Sequence, residues 1–335
     1  MTRVDNANRS FLLFAGLVVA PYVLLALVGC GLLTILGVRL ADHGLGALTA
    51  GRGDLRPAAA LVLLLAVATG LAIWSVLRQV RATRALGERV GALAFPVPSR
   101  LEDAAVLAGL ADRVEFVDAD EPFSFAYGHL RPRVVVSRGL FESLDDQELR
   151  AVLEHEGYHV RHFDPLKVVV ARAASAAYFF LPALQGLRTR YAAASELAAD
   201  RRAMEACGHG PLAGALYQVV RGPEWEELST AAAIGGPELF DMRVSQIETS
   251  EEPPVAPVSR QQIVLTITAL ATLVGILVFT VVSLGGPDAI MREAMGSDAS
   301  TMGDMDMAWS GWWWLPLLAV LGVVVWLASR RRAHP

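Results

Sequence analysis

The sequence predicts an α+β domain embedded in a mainly α-helical, multi-span membrane protein. Three observations carry that expectation. Of 335 residues, 54% are hydrophobic and 19% are charged, against about 25% charged in an average soluble domain. Four uncharged apolar stretches, 11–38, 57–77, 261–286 and 309–329, reach the roughly 20 residues that a bilayer crossing needs. Between the second and third, strand-like segments precede a charged amphipathic helix. The net charge of −5 leaves no basic footprint for direct nucleic-acid binding, and two cysteines exclude a disulfide framework.

Each element follows from local composition. The stretch 11–38 is too long for the apolar core of a cleaved signal peptide and reads as a retained anchor. After 57–77 come Arg78, Arg81, Arg84 and Arg89, so the second span should continue as a charged helix. Arg113–Asp118 and Pro132–Ser137 are rich in Val and bounded by Asp, Pro and Gly, the composition of strands. Between them Pro122–Tyr127 alternates aromatic residues, and its proline suits an edge strand, which could take an extended peptide by β-augmentation. Asp145-Asp-Gln-Glu148 has the capping-box pattern of a helix start, and Pro165 should stop that helix.

A fifth apolar stretch, 165–187, carries Lys167 and Arg172. The 15 uncharged residues between Arg172 and Arg188 make about 22 Å of helix against about 30 Å of hydrocarbon. A buried, interfacial or re-entrant helix is expected there rather than a span. Another helix should cover 190–206, and Pro253, Pro254 and Pro257 mark a linker.

Arginines flank the spans at 3, 9, 78–89, 260 and 330–332, while the segment before the last span is acidic. The positive-inside rule then places both termini and residues 78–260 on the cytoplasmic side of the cell membrane. The short acidic external loop contains Met302, Met305 and Met307, and Trp309, Trp312, Trp313 and Trp314 follow it as an interfacial belt.

The capped helix carries His155-Glu156-Gly157-Tyr158-His159, an H-E-x-x-H. Two histidines at i and i+4 share one helix face and can both reach one Zn²⁺. The intervening Glu156 is placed to take a proton from an attacking water. A catalytic zinc needs a third protein ligand and an open position. Glu196, in Glu196-Leu-Ala-Ala-Asp200, can supply the ligand. Asp200, one turn on, can accept a hydrogen bond from a ligand histidine and fix its tautomer. Asp164 can anchor the other histidine or cap the next helix. No spacing rule marks an oxyanion stabiliser; His129, Arg131, His162 and Arg202 have none in their favour.

The run from Pro122 to Leu166, PFSFAYGHLRPRVVVSRGLFESLDDQELRAVLEHEGYHVRHFDPL, resembles the BlaR/MecR-type family of integral-membrane zinc metallopeptidases, the antirepressor and sensor-transducer peptidases. The order of elements matches: an aromatic strand, an Arg-Pro-Arg-Val-Val strand, H-E-x-x-H, Asp-Pro, then E-x-x-x-D. The resemblance implies a zincin-like (gluzincin) fold and one zinc held by His155, His159 and Glu196, with Glu156 as catalytic base. It implies a protein substrate, such as a DNA-binding repressor or the chain itself, cleaved in response to an external signal. The segment between the last two spans has no S-x-x-K, so the penicillin-binding sensor domain of the best-known members is not expected.

HtpX-like and CAAX-prenyl-protease-like membrane peptidases, which act in quality control and processing, share both motifs. They usually place a membrane hairpin between them, whereas 36 residues separate His159 from Glu196 here. A third reading, a non-catalytic signal transducer with a structural metal, calls for a closed four-ligand site. The sequence offers three ligands and a base.

Overall fold

A computed structural model describes residues 56–220 and 232–283, with isolated helical positions at 11, 14, 18, 37 and 41. The chain divides into two compact units: Met1–Gly16 with Ala66–Leu273, and Leu17–Leu65 with Val274–Pro335. The first holds the site. The expected span 309–329, most of 11–38 and the acidic loop with its methionines lie outside the described residues.

Helix α1 (Arg56–Ala92) runs without a break from the apolar stretch into the arginine-rich one. It is followed by β1 (Ala94–Phe95), α2 (Ser99–Leu107), β2 (Val114–Val117), β3 (Ser124–Tyr127) and β4 (Arg133–Ser137). The sheet order is β1-β2-β4-β3. β2 runs parallel to β4, while β3 pairs antiparallel with β4, Phe125 opposite Val135. The aromatic strand is thus the edge strand that its proline suggested.

Alternation gives the sheet two apolar faces. Phe116, Val134 and Val136 join Leu101, Leu149, Val152 and Leu153 in the main core. Val117, Val135, Phe123 and Phe125 pack on Leu86 and Val90 at the end of α1. A short helix, α3 (Arg138–Ser143), follows β4, capped by the Ser137 hydroxyl, which accepts from Leu140 N at 3.2 Å.

Helix α4 (Asp146–Arg161) begins at the capping box. Asp145 accepts from the amides of Gln147 and Glu148, each at 2.8 Å, and Glu148 accepts from Asp145 N at 2.9 Å. Helix α5 (Asp164–Ala177) and helix α6 (Pro182–Cys207) come next. This corrects the single helix expected over 165–187. Two helices meet at an elbow of residues 178–181, because Pro182 has no amide to continue α5 and sits at a helix start instead. Helices α7 (His209–Val220), α8 (Ala232–Thr249) and α9 (Arg260–Ser283) complete the described chain.

α4 and α6 approach closely because small residues line their seam. Tyr158 lies on Ala198 and Ala199, and Ala151 packs with Ala203. That seam sets the α6 carboxylates opposite the α4 histidines.

α1 and α9 each hold a segment long and apolar enough to cross a membrane, of mean hydropathy 2.5 and only 11% buried. Their outward side chains include Ile73, Trp74, Val264 and Phe279, an apolar surface far beyond what a water-facing helix shows.

Candidate metal centre

One turn of helix separates His155 from His159, and the seam brings Glu196 to both. All three are buried. His155 Nε2 and His159 Nε2 lie 3.4 Å apart. Glu196 Oε2 is 3.5 Å from the first and Oε1 is 3.5 Å from the second. These atoms form the one group of three or more possible ligands found among the described residues. Tetrahedral ligands about 2.0–2.1 Å from a zinc ion stand about 3.4 Å from one another. The donor set and its spacing therefore fit a zinc ion.

The far nitrogens of both rings face carboxylates. Asp164 Oδ2 accepts from His159 Nδ1 at 2.8 Å. Asp200 Oδ1 stands 2.9 Å from His155 Nδ1, a close charge contact that is out of line for an ideal hydrogen bond. With the protons on Nδ1, each Nε2 presents its lone pair to the shared point. Asp164 also accepts from the hydroxyls of Tyr191 (2.8 Å) and Ser195. It reaches His159 because Phe163, the residue before it, adopts a left-handed conformation (φ 54°) and turns the chain back.

Arg243, on α8, is one of two site residues that sequence reasoning missed. Its guanidinium donates to both oxygens of Asp200, at 2.7 and 2.8 Å, and lies 3.5 Å from Glu196 Oε2. It stands 43 residues beyond Asp200, with no motif around it. Ser124 was also missed: its hydroxyl donates to Glu156 Oε1 at 3.1 Å, tying the edge strand to the expected base. Of the residues without a spacing rule, Arg202 pairs with Glu154 at 3.2 Å, and His162 stacks on Tyr158.

The electrostatics follow from this packing. Burial disfavours the His155 cation, yet Asp200 and Glu196 outweigh it and hold the pKa up at about 10. His159 is raised for the same kind of reason, burial opposed by Glu196 and Asp164. Burial would raise the Glu196 carboxyl, but the histidines and Arg243 bring it down to about 2. Asp164 falls to about 2 against its own burial through His159, Ser195 and Lys167. Burial likewise opposes the Asp200 anion, and Arg243 and His155 hold it ionised well below the usual carboxylate range.

Residues 56–211 match the family model described as BlaR1 peptidase M56. Three curated relatives are protease HtpX homologs. The protein of Acidiphilium cryptum is 36% identical over 88 residues, 25% of this chain and 31% of that one. The protein of Methanothermobacter thermautotrophicus is 37% identical over 62 residues, 18% and 24% of the two chains. The protein of Methanopyrus kandleri is 44% identical over 71 residues, 20% and 22%. The chain thus spans a third or less of the length of these relatives. No solved structure matches it.

Proposed function

We propose that the chain is a membrane-bound zinc metalloendopeptidase of the M56 or HtpX type, working at the cytoplasmic face. The observation that carries the proposal is the triangle of His155, His159 and Glu196, with Glu156 held beside it by the edge strand. Three ligands and an adjacent base suit an open, hydrolytic site. A zinc ion held by His155, His159 and Glu196 would supply a water acidic enough to ionise near neutral pH and a Lewis acid for the scissile carbonyl.

The protein's own groups do the rest. Glu156 takes a proton from the attacking water and gives it to the leaving amine. Ser124 fixes the Glu156 carboxylate toward the sheet edge. The outer edge of β3, which pairs with no strand among the described residues, offers backbone donors and acceptors to an extended substrate. Asp164 and Asp200 hold the two rings, and Arg243 holds Asp200. The substrate is a protein, and the short connection between the two motifs favours regulatory cleavage of a DNA-binding repressor or of the chain itself. The HtpX homologs among the relatives favour a second reading, quality control of membrane proteins.

New protein N-termini in cells carrying the wild-type chain or Glu156→Gln separate the two. One or two wild-type-dependent cuts support regulation, and many cuts in unrelated membrane proteins support quality control. No cut under any growth condition, with zinc bound, would overturn the enzymatic reading.

A further inference from the structure

The elbow at 178–181 folds α6 back along α5 and brings Arg188 within electrostatic reach of Arg172. Both side chains are half-buried, and neither has a carboxylate partner among the described residues. The Nε of Arg188 has neither solvent access nor a hydrogen-bond acceptor. Arg100, Arg133, Arg201 and Arg243, by contrast, each meet an Asp or Glu. Burial opposes the charge of both arginines, and Arg172 also stands in the positive field of Arg188 and of Arg78 on α1. Buried charges are ordinarily paired, and an unpaired one is costly. Three arginines from three helices, with no acid paired to them among the described residues, are a site short of an anion.

Its position says which anion. Arg78 directly follows the apolar part of α1, and its guanidinium lies 5.2 Å from the ring centre of Trp74, a pairing typical of the membrane–water boundary. The start of α6 sits on the start of α9: Ala183 N donates to Thr266 Oγ1 at 3.0 Å. The cluster therefore lies at the polar ends of both apolar helices, and Phe179 at the elbow is 54% exposed. If those helices span, this is the depth of the lipid phosphates. Guanidinium forks bind phosphate bidentately, and basic pockets at this depth take anionic headgroups.

We infer that Arg172 and Arg188, with Arg78 beside them, bind the phosphate of an anionic phospholipid headgroup and so seat the elbow on the membrane surface. The inference rests on α1 and α9 being spans and is independent of the metal site.

The test uses the full chain in neutral detergent, titrated with dioleoylphosphatidylglycerol, dioleoylphosphatidylcholine or inorganic phosphate. Native mass spectrometry counts retained lipid, and thermal unfolding reads its effect. Phosphatidylglycerol should be retained on the wild-type chain and raise its Tm, and phosphatidylcholine should do neither. One arginine at an anionic surface contributes about fivefold in binding, so R172Q/R188Q should bind phosphatidylglycerol about thirtyfold more weakly. R81Q/R84Q, which removes the same charge from the exposed part of α1, should keep the specific adduct. Should the double variant fail to fold, the wild-type comparison of the two lipids and the milder R188Q still decide the matter. Equal response to both lipids, or undiminished binding by R188Q, overturns the inference. An equal Tm rise with inorganic phosphate overturns the lipid as the source of the anion.

Discussion

α5 and α6 form a hairpin that carries charge at both ends, buried at one and half-buried at the other, and the two ends are treated oppositely. At the open end Asp164 meets His159, Tyr191, Ser195 and Lys167, and Asp200 further along α6 meets Arg243. At the elbow Arg172 and Arg188 meet no acid among the described residues. Where the chain supplies every counter-charge, the geometry is fixed in advance and suits chemistry that needs atoms held within fractions of an ångström. Where it supplies none, the structure is completed from outside. Burial alone does not distinguish a structural charge from a ligand site; the partner inventory does.

The comparison breaks first at Arg243. R243M leaves Asp200 buried with its main counter-charge gone, which should cost about 3–5 kcal/mol. R243K should restore only part of that, because a single ammonium cannot span both carboxylate oxygens. Thermal unfolding of the full chain measures both, and a Tm change under a degree for R243M would show that the pair is dispensable. The next effect is on metal binding. D164N exchanges an acceptor-only carboxylate for an amide at His159 Nδ1 and should weaken zinc affinity about 10–100-fold, read by competition with a chelator.

Acidity sharpens the same point. Without a metal, His155 holds its proton up to about pH 10, so an incoming ion must displace it. Zinc affinity should therefore fall as pH drops, about tenfold per unit for each proton released. Glu196 and Asp164 titrate at about 2 rather than at their ordinary 4.5 and 3.8. Their stabilisation is fully present above the ordinary values and should disappear as pH falls through 2, visible as acid unfolding of the metal-free chain. Flat zinc affinity between pH 6 and 8 would contradict the protonated resting state. The smallest effect belongs to the elbow. In neutral detergent R172Q/R188Q should change stability by less than about 0.5 kcal/mol, or raise it, since unpaired charges stabilise nothing. A loss as large as that of R243M would mean these arginines have a protein partner.

Much of the site was legible because local rules apply to it. The capping box marks the start of α4, the i, i+4 spacing puts His155 and His159 on one face, and the proline before Phe123 marks an edge strand. Hydropathy read 165–187 as one element because an average over residues does not register a turn, although Pro182 was there to signal it. Ser124 and Arg243 act across the fold, at 32 and 43 residues from their partners, where no periodicity reaches. β1, two residues long, has too few residues to show an alternation.

The central claim is that His155, His159 and Glu196 hold one zinc ion and that Glu156 acts on water without holding the metal. Zinc per chain, measured on the purified full-length wild type, E156Q and E196Q, tests it most directly. About one zinc in the wild type and in E156Q, and little in E196Q, is the expected result. Loss of zinc from E156Q, or full retention by E196Q, would contradict the assignment of base and ligand.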